Sequence, residues 1–388
     1  MKSLGFAVAG RARAGVRPPL VLVVAGTRPE AIKIASVVKA FAASDAVAVR
    51  VVNSGQHPVA VRDTLAEFGL AADIELAPLP PLPNLMASFG HLRDELAEAI
   101  GRWSPACVIV QGDTLTAWAA AVAAHGRDHP VAHVEAGLRT PTVSDPFPEE
   151  WFRRRIARVA SWHFAPTADA ARNLLDEGID PASVFCTGNT GIDSLKHTLA
   201  SLEPLRDEGL RGAETVLVTL HRRENHDRNA DVVCRALIRL AAKRPGLRIT
   251  LPVHPNPRVA GPIRRRLGGH PAVNLVAPMA YRQFIAVAAD ASLIVSDSGG
   301  VQEEAAHLGT PLLVPRSNTE RPEAIATGFV RLVEVDEDTL VAAACAALDA
   351  PRRRRLPIDA AAPFGAGDAG LRIVRIVSRL VAAAPVYA

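Results

Sequence analysis

The chain predicts an α/β protein built from two doubly wound domains whose parallel sheets face each other across a cleft. From Leu20 onward, short β-branched runs alternate with longer amphipathic stretches rich in Ala and Leu, the order of strand and crossover helix in a parallel sheet. The length, 388 residues with 49% hydrophobic side chains, is two or three domains' worth of chain with ample apolar content for packed cores. The alternation pauses between Asn189 and Glu214 and restarts at Thr215, which sets the boundary.

In order, the strands expected in the first domain are Leu20 to Ala25, Ala48 to Val52, Ala106 to Val110, Pro130 to Val134, Trp162 to Ala165 and Ser183 to Thr187. Each is a short apolar or β-branched run bounded by polar residues, and most are followed by a helical pattern. The polar stretch Asp193 to Leu210 reads as a helical connector. Thr215 to Leu220, Arg248 to Pro252, Val273 to Val276, Leu293 to Ser296 and Pro311 to Val314 repeat the pattern in the second domain. Prolines, glycines and an arginine run break it at Arg352 to Gly370, and an apolar helix, Leu371 to Ala384, follows. The expected organisation is a loose extension (1–19), a first Rossmann-like domain (20–192), a connector (193–214), a second Rossmann-like domain (215–370) and a terminal helix (371–388). In the extension, Arg11, Arg13 and Arg17 follow the short apolar piece instead of preceding it, the reverse of a signal peptide.

Composition narrows the function. Forty-four Lys+Arg against 40 Asp+Glu leave a net charge of +4, too small on this length to argue for a nucleic-acid partner. No apolar run approaches the ~20 residues that span a bilayer, so no membrane role is expected. Cys107, Cys186, Cys234 and Cys345 lie far apart without a CxxC pair, which points to no metal site and no disulfide framework and fits a cytoplasmic protein.

In open α/β sheets ligands bind beyond the carboxyl ends of the strands, and there the chain is unusually polar. The first strand runs into Gly26-Thr27-Arg28-Pro29-Glu30-Ala31-Ile32-Lys33, where Arg28 and Lys33 put two cations near a helix N-terminus that already favours an anion. A phosphate-bearing ligand follows, although an ordinary turn with two solvated cations has the same pattern. Gln111-Gly112-Asp113-Thr114 ends another strand, where an Asp is most often a helix cap. His133 to Arg139 and Pro146 to Glu150 come next, so Asp113, Glu135 and Glu149 could converge at one sheet edge. Three such carboxylates would repel and raise one another's pKa, which suits proton transfer at carbon, and scattered structural carboxylates are the plainer alternative. In the second domain His221-Arg222-Arg223-Glu224-Asn225 ends a strand and favours an anion. Asp297-Ser298-Gly299-Gly300 opens a helix whose backbone N–H groups can approach a diphosphate, with Glu304 within reach of a ribose diol and Arg321 downstream in Thr319-Glu320-Arg321-Pro322-Glu323.

Taken together, GTRPEAIK, SGQH, GDT, HVEAGLRT, PFPEE, FAPT, TGNT, HRREN, PVHPNP, DSGGVQEE and TERPE, in this order, resemble the non-hydrolysing UDP-N-acetylglucosamine 2-epimerase family from about Val21 to the terminal helix. The resemblance implies the GT-B fold, no cofactor, a UDP-sugar substrate and a homodimer, with the last helix crossing back onto the first domain. Carried over by motif position, Arg28, His221 and the Ser298-Gly299-Gly300 turn hold the diphosphate, and Glu304 binds the ribose. Lys33 and Arg321, with Arg153 and Arg222 beside them, complete substrate binding. Asp113, Glu135 and Glu149, with His221, form the catalytic set. Two departures bear on regulation: the family has Asn-Arg where this chain has Phe152-Arg153, and Pro58-Val59-Ala60 replaces Arg-Glu-Met after Gln56-His57. This neighbourhood, with Gln56 and His57, helps bind an activating second substrate in bacterial members, so weak or absent activation is expected. A hydrolysing epimerase, a GT-B glycosyltransferase and a non-catalytic nucleotide-sugar sensor are the rival readings. The first differs in its usual first-loop motif, and the other two do not call for the full carboxylate set.

Overall fold

A computed structural model describes residues 18–143, 146–202, 214–220, 228–253, 257–351, 355–359 and 362–383. The chain divides into two compact units, Met1–Ser194 with Phe364–Ala388, and Leu195–Pro363. In the first, β1 (Leu20–Ala25), α1 (Arg28–Ala42), β2 (Ala48–Asn53), α2 (Pro58–Glu67), β3 (Ile74–Glu75), α3 (Leu85–Trp103), β4 (Cys107–Gln111), α4 (Leu115–His125), β5 (Val131–Val134), α5 (Glu149–Val159), β6 (Trp162–Ala165), α6 (Ala168–Asp176) and β7 (Val184–Cys186) alternate along the chain, and α7 (Thr190–Leu202) starts in this unit and continues past its boundary at Ser194. The sheet order is β3-β2-β1-β4-β5-β6-β7, with every pair parallel.

Successive side chains of one strand feed opposite faces of this sheet, as a period of two requires. Val21, Val23 and Ala25 pack with Ile34, Val37 and Phe41 of α1. Leu22 and Val24 pack on the other face with Leu92 and Leu96 of α3, Trp118 of α4 and Ile156 of α5.

The second unit contains β8 (Thr215–Thr219), α8 (Arg228–Lys243), β9 (Arg248–Pro252), α9 (Pro257–Leu267), β10 (Val273–Val276), α10 (Tyr281–Asp290), β11 (Leu293–Ser296), α11 (Gly299–Leu308), β12 (Leu312–Pro315), α12 (Pro322–Ala326), β13 (Val330–Val333) and α13 (Glu337–Asp349). Its sheet, β10-β9-β8-β11-β12-β13, is also parallel throughout. Val216, Val218, Leu293 and Val295 from its centre pack against Leu237 and Leu240 of α8 and Leu340 and Val341 of α13. In each sheet the strand order reverses beside the first strand, between β1 and β4 and between β8 and β11, and such switch points open ligand crevices.

The last helix, α14 (Ala369–Ala383), belongs to the first unit. Ile373, Val374, Val377 and Val381 recur at helical spacing and join the core formed with α1. The Asp193 carboxylate accepts from the N–H groups of Gly370 at 2.9 Å and Ala369 at 3.2 Å, satisfying donors that a helix start leaves open. Burial pushes the Asp193 carboxyl up to about 6. Gly370 has no room for a side chain: a Cβ would lie 2.9 Å from the carbonyl carbon and oxygen of Ser36.

Two strands depart from the sequence reading, which places none at β3 or β13. β3 has two residues, below the length at which periodicity can be seen. β13 is an edge strand whose exposed Arg331 interrupts the apolar run. The terminal helix begins at Ala369, two residues before the position expected for it.

Candidate active site

The β1–α1 turn in the first unit is built around close approach. A Cβ on Gly26 would overlap Thr116 Oγ1 and Ser54 Oγ, so only glycine fits. Pro29 sits in the first turn of α1, where its missing N–H costs nothing, and Arg28 is half-buried beside it. One residue on, Glu30 is wholly buried. Its Oε2 accepts from Gly26 N–H at 3.0 Å and Thr27 Oγ1 at 2.8 Å, and its Oε1 accepts from Thr114 Oγ1 at 2.7 Å. Burial outweighs these bonds and pushes its carboxyl up to about 7.

Of the three carboxylates singled out in the sequence, Asp113 and Glu135 stand on neighbouring strand ends, each with a cation at hand. Glu135 follows β5 with φ 67°, a left-handed conformation that non-glycine residues avoid except where surrounding structure enforces it. Its carboxylate pairs with Lys33 of α1 and accepts from Gln111 Nε2 at 2.7 Å. Asp113, in the turn after β4, pairs with Arg153 of α5 at 2.5 Å. Arg153 also holds the buried Glu150 at 3.1 Å, and Glu150 accepts from Arg154 Nε at 2.9 Å. Glu149 opens α5 and is half-buried. Mutual repulsion therefore does not set this cluster, contrary to the expectation of three like charges converging, because Lys33 and Arg153 answer the charge of Glu135 and Asp113.

Other motif residues build the frame. Gln56 Oε1 accepts from the backbone N–H of Thr116 at 3.1 Å and from its hydroxyl at 2.7 Å, tying the β2 loop to the start of α4. His57 precedes α2, and its backbone N–H donates to Gly26 O at 2.9 Å. Buried His133 sits 2.8 Å from Gly112 O through Nε2, and burial drives its pKa to about 3, which keeps it neutral. Phe152, where the family motif has a polar residue, is a packing residue in this chain. It is 2% exposed and stacks on Trp118 at 5.2 Å, inside the contact between α4 and α5. Its ring is committed to packing α5 on α4.

In the second unit the turn after β11 carries buried Asp297 and half-buried Ser298, Gly299 and Gly300 at the start of α11. Ser296 Oγ accepts from Ser298 N–H at 3.1 Å and bonds Thr219 Oγ1 at 2.6 Å, fixing the turn to β8. The Arg321 guanidinium lies against Gly299: a Cβ there would be 2.5 Å from Nη1. It is buried, donates from Nε to Glu303 at 2.5 Å, and pairs with Glu320 through Nη1. Glu304 accepts from Tyr281 Oη at 2.6 Å on Oε1. His221 and Arg222 lie outside the described residues.

The sequence reading assigned nothing to Glu30, Gln111, Glu150, Glu303 or Tyr281. Glu30, Glu150 and Glu303 stand inside the quoted motifs, and burial alone distinguishes them from solvated neighbours. Among the described residues no cluster of His, Cys, Asp or Glu could hold a metal ion, and no helix is long and apolar enough to cross a membrane.

The UDP-N-acetylglucosamine 2-epimerase family profile matches residues 39–378. This chain belongs to that family. A UDP-N-acetylglucosamine 2-epimerase of Neisseria meningitidis is 37% identical over 366 residues, 91% of this chain and 98% of the relative. A crystal structure of the enzyme from Neisseria meningitidis, bound to UDP-GlcNAc, superposes with a TM-score of 0.86 at 35% identity, covering 93% of this chain and all of the other. A structure of MnaA from S. aureus with UDP gives 0.85 at 33%, covering 94% and 97%. The two parallel α/β sheets are thus those of the GT-B-like 2-epimerases.

Proposed function

We propose that this protein inverts C2 of UDP-N-acetylglucosamine, interconverting it with UDP-N-acetylmannosamine or acting likewise on a substituted UDP-sugar. The observation that carries the reading is the pairing of Glu135 with Lys33 and of Asp113 with Arg153 on adjacent strand ends, in a chain of this family. A C2 proton with no adjacent carbonyl is very weakly acidic, so its removal must be coupled to departure of the leaving group. A carboxylate takes the proton, the C2–H electron pair forms the C1=C2 double bond of 2-acetamidoglucal, and the C1–O pair leaves with UDP. UDP oxygen then returns to C1 while a carboxylic acid delivers a proton to the other face of C2. Asp113, Glu135 and Glu149 are the candidates for these transfers. Lys33 and Arg153 orient the carboxylates they pair with.

UDP needs cations and directed N–H groups, which Arg321 and the Ser298-Gly299-Gly300 turn supply in the second unit, with Glu304 for the ribose. Arg28, His221 and Arg222 join the diphosphate site by motif position. The hydrolysing alternative releases UDP and free N-acetylmannosamine; a glycosyltransferase needs an acceptor. We also propose a cytoplasmic homodimer, which sedimentation checks as to its state of association.

Incubation with UDP-N-acetylglucosamine in deuterated water, followed at C2 by NMR, tests the reaction. Deuterium entering C2 of both epimers, with UDP retained, is the expected result. Free UDP with free sugar would favour the hydrolysing alternative, and no exchange would overturn epimerisation.

A further inference from the structure

We infer that Glu30 is a positioning residue for this reaction, a buried strut that locks the Asp113 turn to the β1–α1 turn; the inference rests on the proposed epimerisation. The spacing Thr27-x-x-Glu30 is that of a capping box, in which a glutamate folds back over the start of its own helix. A local cap explains only half of what this side chain does. Its Oε2 serves the turn, through Gly26 N–H and Thr27 Oγ1. Its Oε1 reaches Thr114, 84 positions away, at 2.7 Å. The carboxylate is also wholly buried, a placement that capping at an exposed helix start does not require.

Thr114 makes the strut consequential. Its hydroxyl accepts from Ala117 N–H at 3.0 Å as the N-cap of α4 while donating to Glu30, so both its proton and its lone pair are committed and its rotamer is set. The adjacent residue is Asp113. One turn further along α1, Lys33 pairs with Glu135. A single helical turn thus anchors both carboxylate-bearing strand ends, β4 and β5. Proton transfer at carbon demands this: a misplacement of about 1 Å can cost about a hundredfold in rate.

Above about pH 7, where Glu30 is ionised, its carboxylate suits the task because both oxygens accept, and three donors converge on them. An amide of the same size has one accepting oxygen, and its NH2 would meet a donor on one side or the other. Glu30→Gln therefore loosens the strut without changing volume. Thr114→Val removes the same bond from its far end, together with the α4 cap that the hydroxyl accepts from Ala117 N–H.

The test measures C2 deuterium exchange and KM with UDP-N-acetylglucosamine for the parent and both variants, with folding checked by circular dichroism. A fall in kcat of about 10- to 100-fold in each variant, with KM within about twofold of the parent, is expected for misplacement of an acid/base group. Exchange at the parent rate in either variant overturns the inference. So does a parallel loss of kcat and substrate affinity, or loss of folding in both variants, since each would make the bond one of stability alone. A parent that shows no exchange overturns the epimerase reading and this inference with it, whereas an active parent with undiminished variants overturns only the strut.

Discussion

Gly299→Ala perturbs the turn after β11, the proposed diphosphate site of the second unit, at a single atom. An added Cβ would stand 2.5 Å from Arg321 Nη1, 2.7 Å from Cζ and 2.9 Å from Nη2. Regaining ordinary van der Waals contact requires the guanidinium to move by about 1 Å. It is not free to do so. Arg321 is buried, bonded to Glu303 at 2.5 Å and paired with Glu320. Displacement stretches charge-assisted bonds and withdraws the cation from the start of α11, and a hydrogen bond to a charged group contributes about 1.5–3 kcal/mol. Loss of one such bond to a diphosphate weakens UDP binding about 10- to 100-fold. Calorimetric titration of UDP into the parent, Gly299→Ala, Arg321→Ala and the double variant measures this directly. If the clash is the cause, alanine at 299 adds little once Arg321 is gone. Affinity for UDP within twofold of the parent in Gly299→Ala, or full additivity in the double variant, would refute the reasoning.

Asp113→Asn and Glu149→Gln should each lower C2 exchange by about 10²- to 10⁴-fold while leaving UDP affinity unchanged, since both keep size and abolish proton transfer; exchange near the parent rate would return that residue to a structural role such as a cap. Glu30 gives a pH dependence of definite sign. Its carboxyl is raised from 4.5 to about 7, so the folded state holds the proton more tightly than the unfolded chain, and the stability it contributes is present below about pH 4.5 and lost as pH rises through 7. Relative to the parent, Glu30→Gln should therefore gain about 3 kcal/mol over that window. All four tryptophans, Trp103, Trp118, Trp151 and Trp162, lie in the first unit, so their fluorescence during urea unfolding reads it selectively, and parallel pH curves for parent and variant would contradict the assignment. Gly370→Ala sets a methyl 2.9 Å from the backbone of Ser36, which cannot yield as a side chain can, and should lower the same urea transition by about 1–3 kcal/mol. An unchanged midpoint would mean that the backbone contact at Gly370 yields without cost.

Much of this architecture is legible because the central strands are apolar runs buried on both faces. Val21 to Ala25, Cys107 to Val110 and Leu293 to Ser296 announce themselves, and the polar turns that follow them fall at the switch points where ligands bind. What stays hidden is pairing. Thr27-x-x-Glu30 reads as a cap from its own spacing, and nothing local says that the second oxygen meets Thr114. That contact exists because β1 lies beside β4 in a sheet whose strand order departs from chain order. The same holds for the cations: Lys33 and Arg153 read equally well as ligands for a phosphate, and only the sheet brings them to Glu135 and Asp113. Phe152 shows the reverse case, in which a local signal is present and motif position obscures it. Phe152 and Ile156 are one helical turn apart and face the same core as Trp118, while Glu149 and Arg153 share the neighbouring face. Helical phase therefore separates the side chain that packs α5 from the one that answers Asp113, although the two are adjacent in the chain.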